Sequence, residues 1–267
     1  MIRYLVGAFA FACACLVAFA NSRSVAKDDA RSGTMRFEWR TEGPAEQCGR
    51  LCRKWISASG VVTDNTAFDF EAFAKDNDVH GATLVLDSEG GSVLAALALG
   101  RAIRRFDMAT TIGKTAMLPS ADGGAPRAAL SPKAQCESMC AFILLGGARR
   151  YVPPEAHILV HQIWLGSKSK RALESTYSAE ELRLVQRDIG SLARYTVEMG
   201  GSIELVETAL RIPPWEPMYA LSREELRRMQ LTTVDRLFDG NIPAASLPTA
   251  RVNSIATTAQ AQQSGKD

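Results

Sequence analysis

The sequence predicts an α/β fold with a mostly parallel sheet and surrounding helices. Three consecutive segments indicate this class. Ala82–Asp87 is a short apolar run typical of a buried parallel strand. Val93–Phe106 repeats apolar residues at helical spacing and ends in several arginines, which suit a helix C-terminus. Ala109–Ile112 is a second short strand, so strand, helix and strand alternate as they do in α/β proteins.

The segments on either side extend the same alternation. Trp55–Val62 is predicted as a strand with a turn, and 65–75 as a helix that begins at polar residues. Ile158–Gln162 is predicted as a further strand. A long helix over Ser178–Met199 begins with the pattern of a capping box, and a short helix follows over Ser202–Leu210.

Between these elements, Met117–Ala134 is rich in Pro and Gly and is predicted as a long loop. Loops of this length are often functional, and this one precedes the residues considered below, so a lid is one interpretation. A surface insertion without a function is the other.

The N-terminus has the pattern of an export signal. A basic start is followed by an uncharged apolar stretch over residues 5–20 that closes with Ala18-Phe19-Ala20, which predicts cleavage after Ala20. The alternative is a retained membrane anchor, because nineteen uncharged residues separate Arg3 from Arg23. We therefore expect an exported protein, periplasmic or secreted, with association to a membrane through residues 5–20 as the alternative.

Composition and patterning define the remaining organisation. With 46% hydrophobic residues and a net charge of +2, the 267-residue chain is globular in composition and has no basic excess that would indicate nucleic acid as a partner. The predicted parts are a signal peptide (1–20), a linker (21–47), an α/β domain (48–240) and a disordered tail (241–267).

Four cysteines remain after the predicted cleavage, namely Cys48, Cys52, Cys136 and Cys140. An even number in an exported chain favours two structural disulfides over a metal or redox site. Residues four apart in a regular helix hold their Cβ atoms about 5–6 Å apart, whereas a disulfide needs about 3.5–4.5 Å. A Cys136–Cys140 bond therefore requires that the helix begin after Cys136, and pairing between the two segments is equally open.

The candidate site combines a serine, a histidine and a glycine turn. Ser138 lies where a small polar turn meets an apolar run, at a predicted helix start with outward-pointing N–H groups. His161 lies on a following strand, and Gly90-Gly91 separates a strand from a helix. A serine nucleophile, a histidine base and the backbone N–H groups of Gly91 and Met139 would together suit acyl transfer. Each feature alone has an ordinary structural explanation: a helix cap, a packed histidine, a turn.

The sequence resembles the Clp protease proteolytic subunit and, more loosely, the signal peptide peptidases, both of the crotonase-like fold. Leu86–Val93 (LDSEGGSV) is similar to that family's strand and glycine turn, with Glu89 in place of a proline. Ser138–Arg150 (SMCAFILLGGARR) is similar to its nucleophile helix, and Leu159–Gln162 (LVHQ) to its base strand. The similarity covers about Trp55 to Phe238.

What the resemblance implies is a serine peptidase, and the N-terminal signal pattern predicts that it is exported. By position, Ser138 would be the nucleophile, His161 the base, and Gly91 and Met139 the oxyanion donors. No cofactor or metal would be needed, the substrate would be a peptide or protein, and homo-oligomers would be expected by analogy. The chain departs from the family at Ala209, which stands where the orienting aspartate should be.

Two other functions follow from these departures. The missing acid favours a catalytically inactive member that keeps the fold for binding or assembly. A crotonase-type enzyme acting on an acyl thioester would use the same Gly91 and Met139 donors, but the Ser138 and His161 pair and the export signal argue against it.

Overall fold

A computed structural model describes residues 31–118, 127–165 and 173–238. Its strands are β1 (Arg36–Thr41), β2 (Lys54–Ser59), β3 (Thr83–Asp87), β4 (Ala109–Ile112), β5 (Lys114–Leu118), β6 (Arg127–Ser131), β7 (Gln135–Glu137), β8 (Arg149–Tyr151), β9 (His157–Val160) and β10 (Tyr219–Ala220). Its helices are α1 (Ala45–Cys48), α2 (Thr66–Asp76), α3 (Val93–Arg105), α4 (Met139–Leu145), α5 (Ala179–Glu198), α6 (Glu204–Leu210) and α7 (Arg223–Arg228).

The main sheet has the strand order β1-β2-β3-β4-β8. The pairs β2–β3, β3–β4 and β4–β8 are parallel, and β1 adds an antiparallel edge. Every residue of β4 and all but the first of β3 are buried, as expected for the inner strands of a parallel sheet that is covered on both faces. The protein is therefore mixed α/β, as the sequence predicts.

A second sheet leads to two residues of the candidate site, Ser138 after β7 and His161 after β9. It has the order β10-β9-β7, with β7 parallel and β10 antiparallel to β9. An isolated bridge between Ser88 and Cys136 joins it to the end of β3. The second sheet thus brings the strand before Ser138 beside the strand before His161.

Helix α4 forms the centre of the core. All seven of its residues are buried. Tyr195 of α5 donates a hydrogen bond to the Phe142 carbonyl at 2.8 Å. At its C-terminal end, the guanidinium groups of Arg104 and Arg150 both donate to the carbonyls of Leu145 and Gly147. Because the last carbonyls of a helix lack partners within it, these two arginines fix where α4 ends.

Several predicted elements are confirmed and two are corrected. α3 and α5 begin and end within one residue of their predicted bounds, and the capping box at Ser178 is present with Glu181. The sequence predicts a linker over 21–47, but this segment contains β1, in which Phe37 is buried. The predicted loop over Met117–Ala134 contains the end of β5 and all of β6, and these strands pair antiparallel with Met117 opposite Ala128.

The predictions for residues 1–20 and for the tail 241–267 lie outside the described residues. Within the described ranges, no helix has both the length and the apolar character needed to cross a membrane.

Candidate active site

Ser138 occupies a sharp turn between β7 and α4. Its backbone has φ 53° and ψ −120°, a left-handed conformation that costs a non-glycine residue about 1–3 kcal/mol. Its N–H donates to the Leu159 carbonyl at 2.8 Å, and the Glu137 N–H donates to the Ser88 carbonyl at 3.0 Å. The hydroxyl makes no capping bond to α4, so Ser138 is not an ordinary helix cap.

A disulfide closes across this turn. Cys136, in β7, is bonded to Cys140, in the first turn of α4, with the Cα atoms 5.2 Å apart. Both cysteines are fully buried. The bond is compatible with normal geometry because α4 begins only at Met139, which leaves Cys136 outside the helix.

The second disulfide joins Cys48 and Cys52, so the alternative of pairing between the two segments is wrong. Two disulfides fit an oxidising, exported environment.

The Gly90-Gly91 turn lies directly against the serine. A Cβ atom on Gly90 would lie 2.7 Å from the Glu137 carbonyl oxygen, 2.8 Å from the Met139 nitrogen and 2.9 Å from the Ser138 Cβ. Gly90 also has φ 84°. Only glycine allows the two backbones to approach this closely in this conformation.

The two candidate oxyanion donors are the N–H groups of Gly91 and Met139. Both residues line the same cavity as Ser138. Among the described residues, neither N–H donates to a backbone carbonyl. Met139 is the first residue of α4, where an N–H has no partner within the helix and the helix dipole favours negative charge.

His161 follows β9 and is held in one tautomer. Its Nδ1 lies 2.7 Å from the carbonyl oxygen of Gln162, which can only accept a hydrogen bond, so Nδ1 carries the proton and Nε2 is left as a base. The Gln162 N–H donates to the Ile212 carbonyl at 2.8 Å, which anchors this part of the chain. The imidazole also packs against Trp164, with ring centroids 4.6 Å apart.

The pKa of His161 is lowered. Burial of the ring lowers it, while the hydrogen bond to Gln162 and the charge of Glu137 oppose that effect. A lowered pKa keeps the imidazole neutral at pH 7, the state in which it can accept a proton.

A cavity of about 770 Å³ brings these residues together. Ser138, Met139, Gly91 and His161 all line it. The other lining residues form apolar walls and an acidic rim, and they are Val93, Leu94, Ile163, Trp164, Leu165, Asp64, Glu89, Ser92 and Asp188. The structure therefore places all four predicted site residues around one space large enough for a peptide segment.

Ala209 contributes no polar group to this site. It lies in α6, where it is buried in the hydrophobic core. Sequence reasoning missed Trp164 and Asp188, which line the cavity. Asp188 lies on α5, and its Oδ1 accepts hydrogen bonds from Arg187. No local motif marks either residue, because each reaches the cavity only through the fold.

Comparisons with known proteins leave the family open. No family model matches the chain, and no curated protein matches it. Across residues 31–118, 127–165 and 173–238, no group of three or more His, Cys, Asp or Glu side chains could hold a metal ion.

Proposed function

We propose that the protein is an exported serine hydrolase, periplasmic or secreted, that cleaves peptides or proteins and has a Clp-protease-like, crotonase-type fold. The observation that carries the proposal is the single cavity lined by Ser138, His161, Gly91 and Met139. The left-handed turn at Ser138 supports it, since backbone strain concentrates at functional sites.

The proposed reaction is acyl transfer through a covalent intermediate. Ser138 Oγ attacks the substrate carbonyl carbon while His161 Nε2 takes the hydroxyl proton. The carbonyl oxygen becomes an oxyanion that accepts hydrogen bonds from the N–H groups of Gly91 and Met139. The C–N bond then breaks, His161 returns the proton to the leaving amine, and water hydrolyses the acyl-enzyme by the same steps.

The orientation of His161 rests on a backbone carbonyl in place of an aspartate. Loss of the orienting acid from a serine protease triad costs about 10⁴ in kcat, mainly because the histidine takes the wrong tautomer. Here the Gln162 carbonyl fixes the tautomer with Nδ1 protonated. We therefore expect a working Ser–His pair that is slower than a complete triad.

Labelling with a fluorophosphonate probe tests this function. Wild type should be labelled, Ser138→Ala should not be labelled at all, and His161→Ala should be labelled about 10²–10⁴ times more slowly because it lacks the base. Matched controls are Ser92→Ala, which removes another hydroxyl of the same cavity, and His157→Ala, which removes an exposed histidine of β9. Both controls should be labelled at nearly the wild-type rate.

The second candidate is a catalytically inactive member of the same fold that binds or assembles. Ala209 favours it, because the position expected to carry the acid is apolar and buried. A folded wild-type protein that resists the probe, or labelling that survives Ser138→Ala, would favour this candidate and contradict the hydrolase.

A further inference from the structure

Glu137 lies on the strand next to the one that leads to His161. In the parallel β7–β9 pair, Glu137 lies opposite Leu159. Along β9, Ile158 and Val160 are buried and Leu159 is more exposed. His161, two residues after Leu159 and just past the end of β9, is partly buried like Leu159. Glu137 also directly precedes Ser138. A long acidic side chain therefore starts beside both candidate catalytic residues.

Arg31 holds this carboxylate from the N-terminal side. Its guanidinium lies 2.6 Å from Glu137 Oε1 and 3.2 Å from Asp87 Oδ1. The three side chains are mostly buried, with 14%, 17% and 6% of the side-chain area exposed for Arg31, Glu137 and Asp87. Salt screens a mostly buried charge poorly, so the charge of Glu137 acts on its surroundings even though Arg31 is paired with it.

Three other carboxylates, those of Asp64, Glu89 and Asp188, line the cavity itself. Asp64 accepts a hydrogen bond from Ser92 Oγ, and Asp188 is paired with Arg187. Glu89 is exposed. Among the described groups, Glu137 is the carboxylate whose charge acts on the pKa of His161, which it raises against the effect of burial.

We propose that Glu137 is the positioning residue that stabilises the charged imidazolium of His161, and that Arg31 moderates its effect. The inference rests on the proposed function. Two groups would then share the work of the missing triad acid: the Gln162 carbonyl fixes the tautomer, and Glu137 supplies the negative charge. Through its ion pair with Glu137, Arg31 would influence the imidazole of His161.

An NMR titration of the histidine side chains tests the proposal without requiring activity. The chain has three histidines, so His80→Gln and His157→Gln assign the remaining signal to His161. Glu137→Gln should move the titration midpoint of His161 to lower pH by about half a pH unit or more, because it removes a nearby negative charge. Arg31→Gln should move it to higher pH, and Glu137→Asp should fall between wild type and Glu137→Gln.

Asp188→Asn tests the alternative that another carboxylate stabilises the imidazolium, since Asp188 lines the same cavity as His161. An unchanged midpoint in Glu137→Gln, or a larger fall in Asp188→Asn, overturns the proposal. If Glu137→Gln does not fold, Arg31→Gln still tests the proposal. An unchanged or lowered titration midpoint of His161 in Arg31→Gln contradicts it.

The pH dependence of labelling separates this inference from the proposed function. If wild type is labelled, the labelling rate should fall at acidic pH as His161 becomes protonated. The pH at which the rate falls should shift in each variant by the same amount as the NMR titration midpoint. If wild type is labelled but the titration midpoint of His161 is the same in Glu137→Gln, the inference about Glu137 is wrong and the hydrolase proposal stands. If the titration midpoint of His161 moves as expected but the wild-type protein is not labelled, the hydrolase proposal is wrong and the inference about Glu137 stands.

Discussion

Replacing Gly90 with alanine should abolish labelling by a fluorophosphonate and lower the free energy of unfolding by about 2–5 kcal/mol. The new methyl group would meet the Glu137 carbonyl oxygen, the Met139 nitrogen and the Ser138 Cβ, all within 2.9 Å. These are backbone atoms or a Cβ, so none can rotate away. Overpacking costs about 1–3 kcal/mol, and the left-handed conformation adds about 1–2 kcal/mol. Urea unfolding and the labelling rate measure the two effects.

Gly81→Ala is the matched control for Gly90→Ala. Gly81 also has a left-handed backbone, with φ 67°, but a Cβ there would meet no atom within 4 Å. It should lose only about 1–2 kcal/mol and keep the wild-type labelling rate. Equal losses of stability in the two variants, or undiminished labelling in Gly90→Ala, would show that the glycine turn does not shape the site.

Removing the disulfide across Ser138 should impair the site more than its stability alone explains. In Cys136→Ala/Cys140→Ala, loss of the short covalent loop should lower the free energy of unfolding by about 2 kcal/mol, with a further cost for the space left in the core. The strained turn at Ser138 would then be held only by its backbone hydrogen bonds. We expect labelling to slow about 10- to 100-fold, as small displacements of a nucleophile do.

The second disulfide provides the control. Cys48 and Cys52 have the same separation of four residues, so Cys48→Ala/Cys52→Ala should lose a similar loop contribution to stability. This bond does not flank Ser138, so labelling should stay near the wild-type rate at temperatures where the variant is folded. A similar slowing in both double variants would mean that the effect is global destabilisation.

Much of the fold could be predicted from local pattern. β3, α3 and β4 are short or strongly periodic segments, and α5 carries a capping box, so their type and bounds follow from the chain itself. The sequence analysis did not predict β1, a short edge strand in which only Phe37 is buried. The pairing of β5 with β6 was not predicted because Pro and Gly residues, which are typical of loops, lie between the two strands in the sequence.

The candidate site could be predicted only in part. Ser138, His161 and Gly91 lie at the junctions between elements, where turn residues give a local signal. The roles of Gln162 and Glu137 could not be predicted, because one acts through its carbonyl and the other through strand register and contact with Arg31. The pairing of the cysteines also depended on where α4 begins, which periodicity locates only within a few residues.

The site of covalent modification tests the central claim most directly. Trypsin should release residues 134–149 from the labelled protein, and in this peptide Ser138 is the only residue with a hydroxyl group. Attack by Ser138 forms an Oγ–P bond and expels fluoride, so tandem mass spectrometry should find one adduct, on Ser138, in wild type. The same peptide from His161→Ala should carry far less adduct. An unmodified peptide 134–149 from fully folded protein, with the adduct elsewhere or absent, would contradict the assignment of Ser138 as the nucleophile.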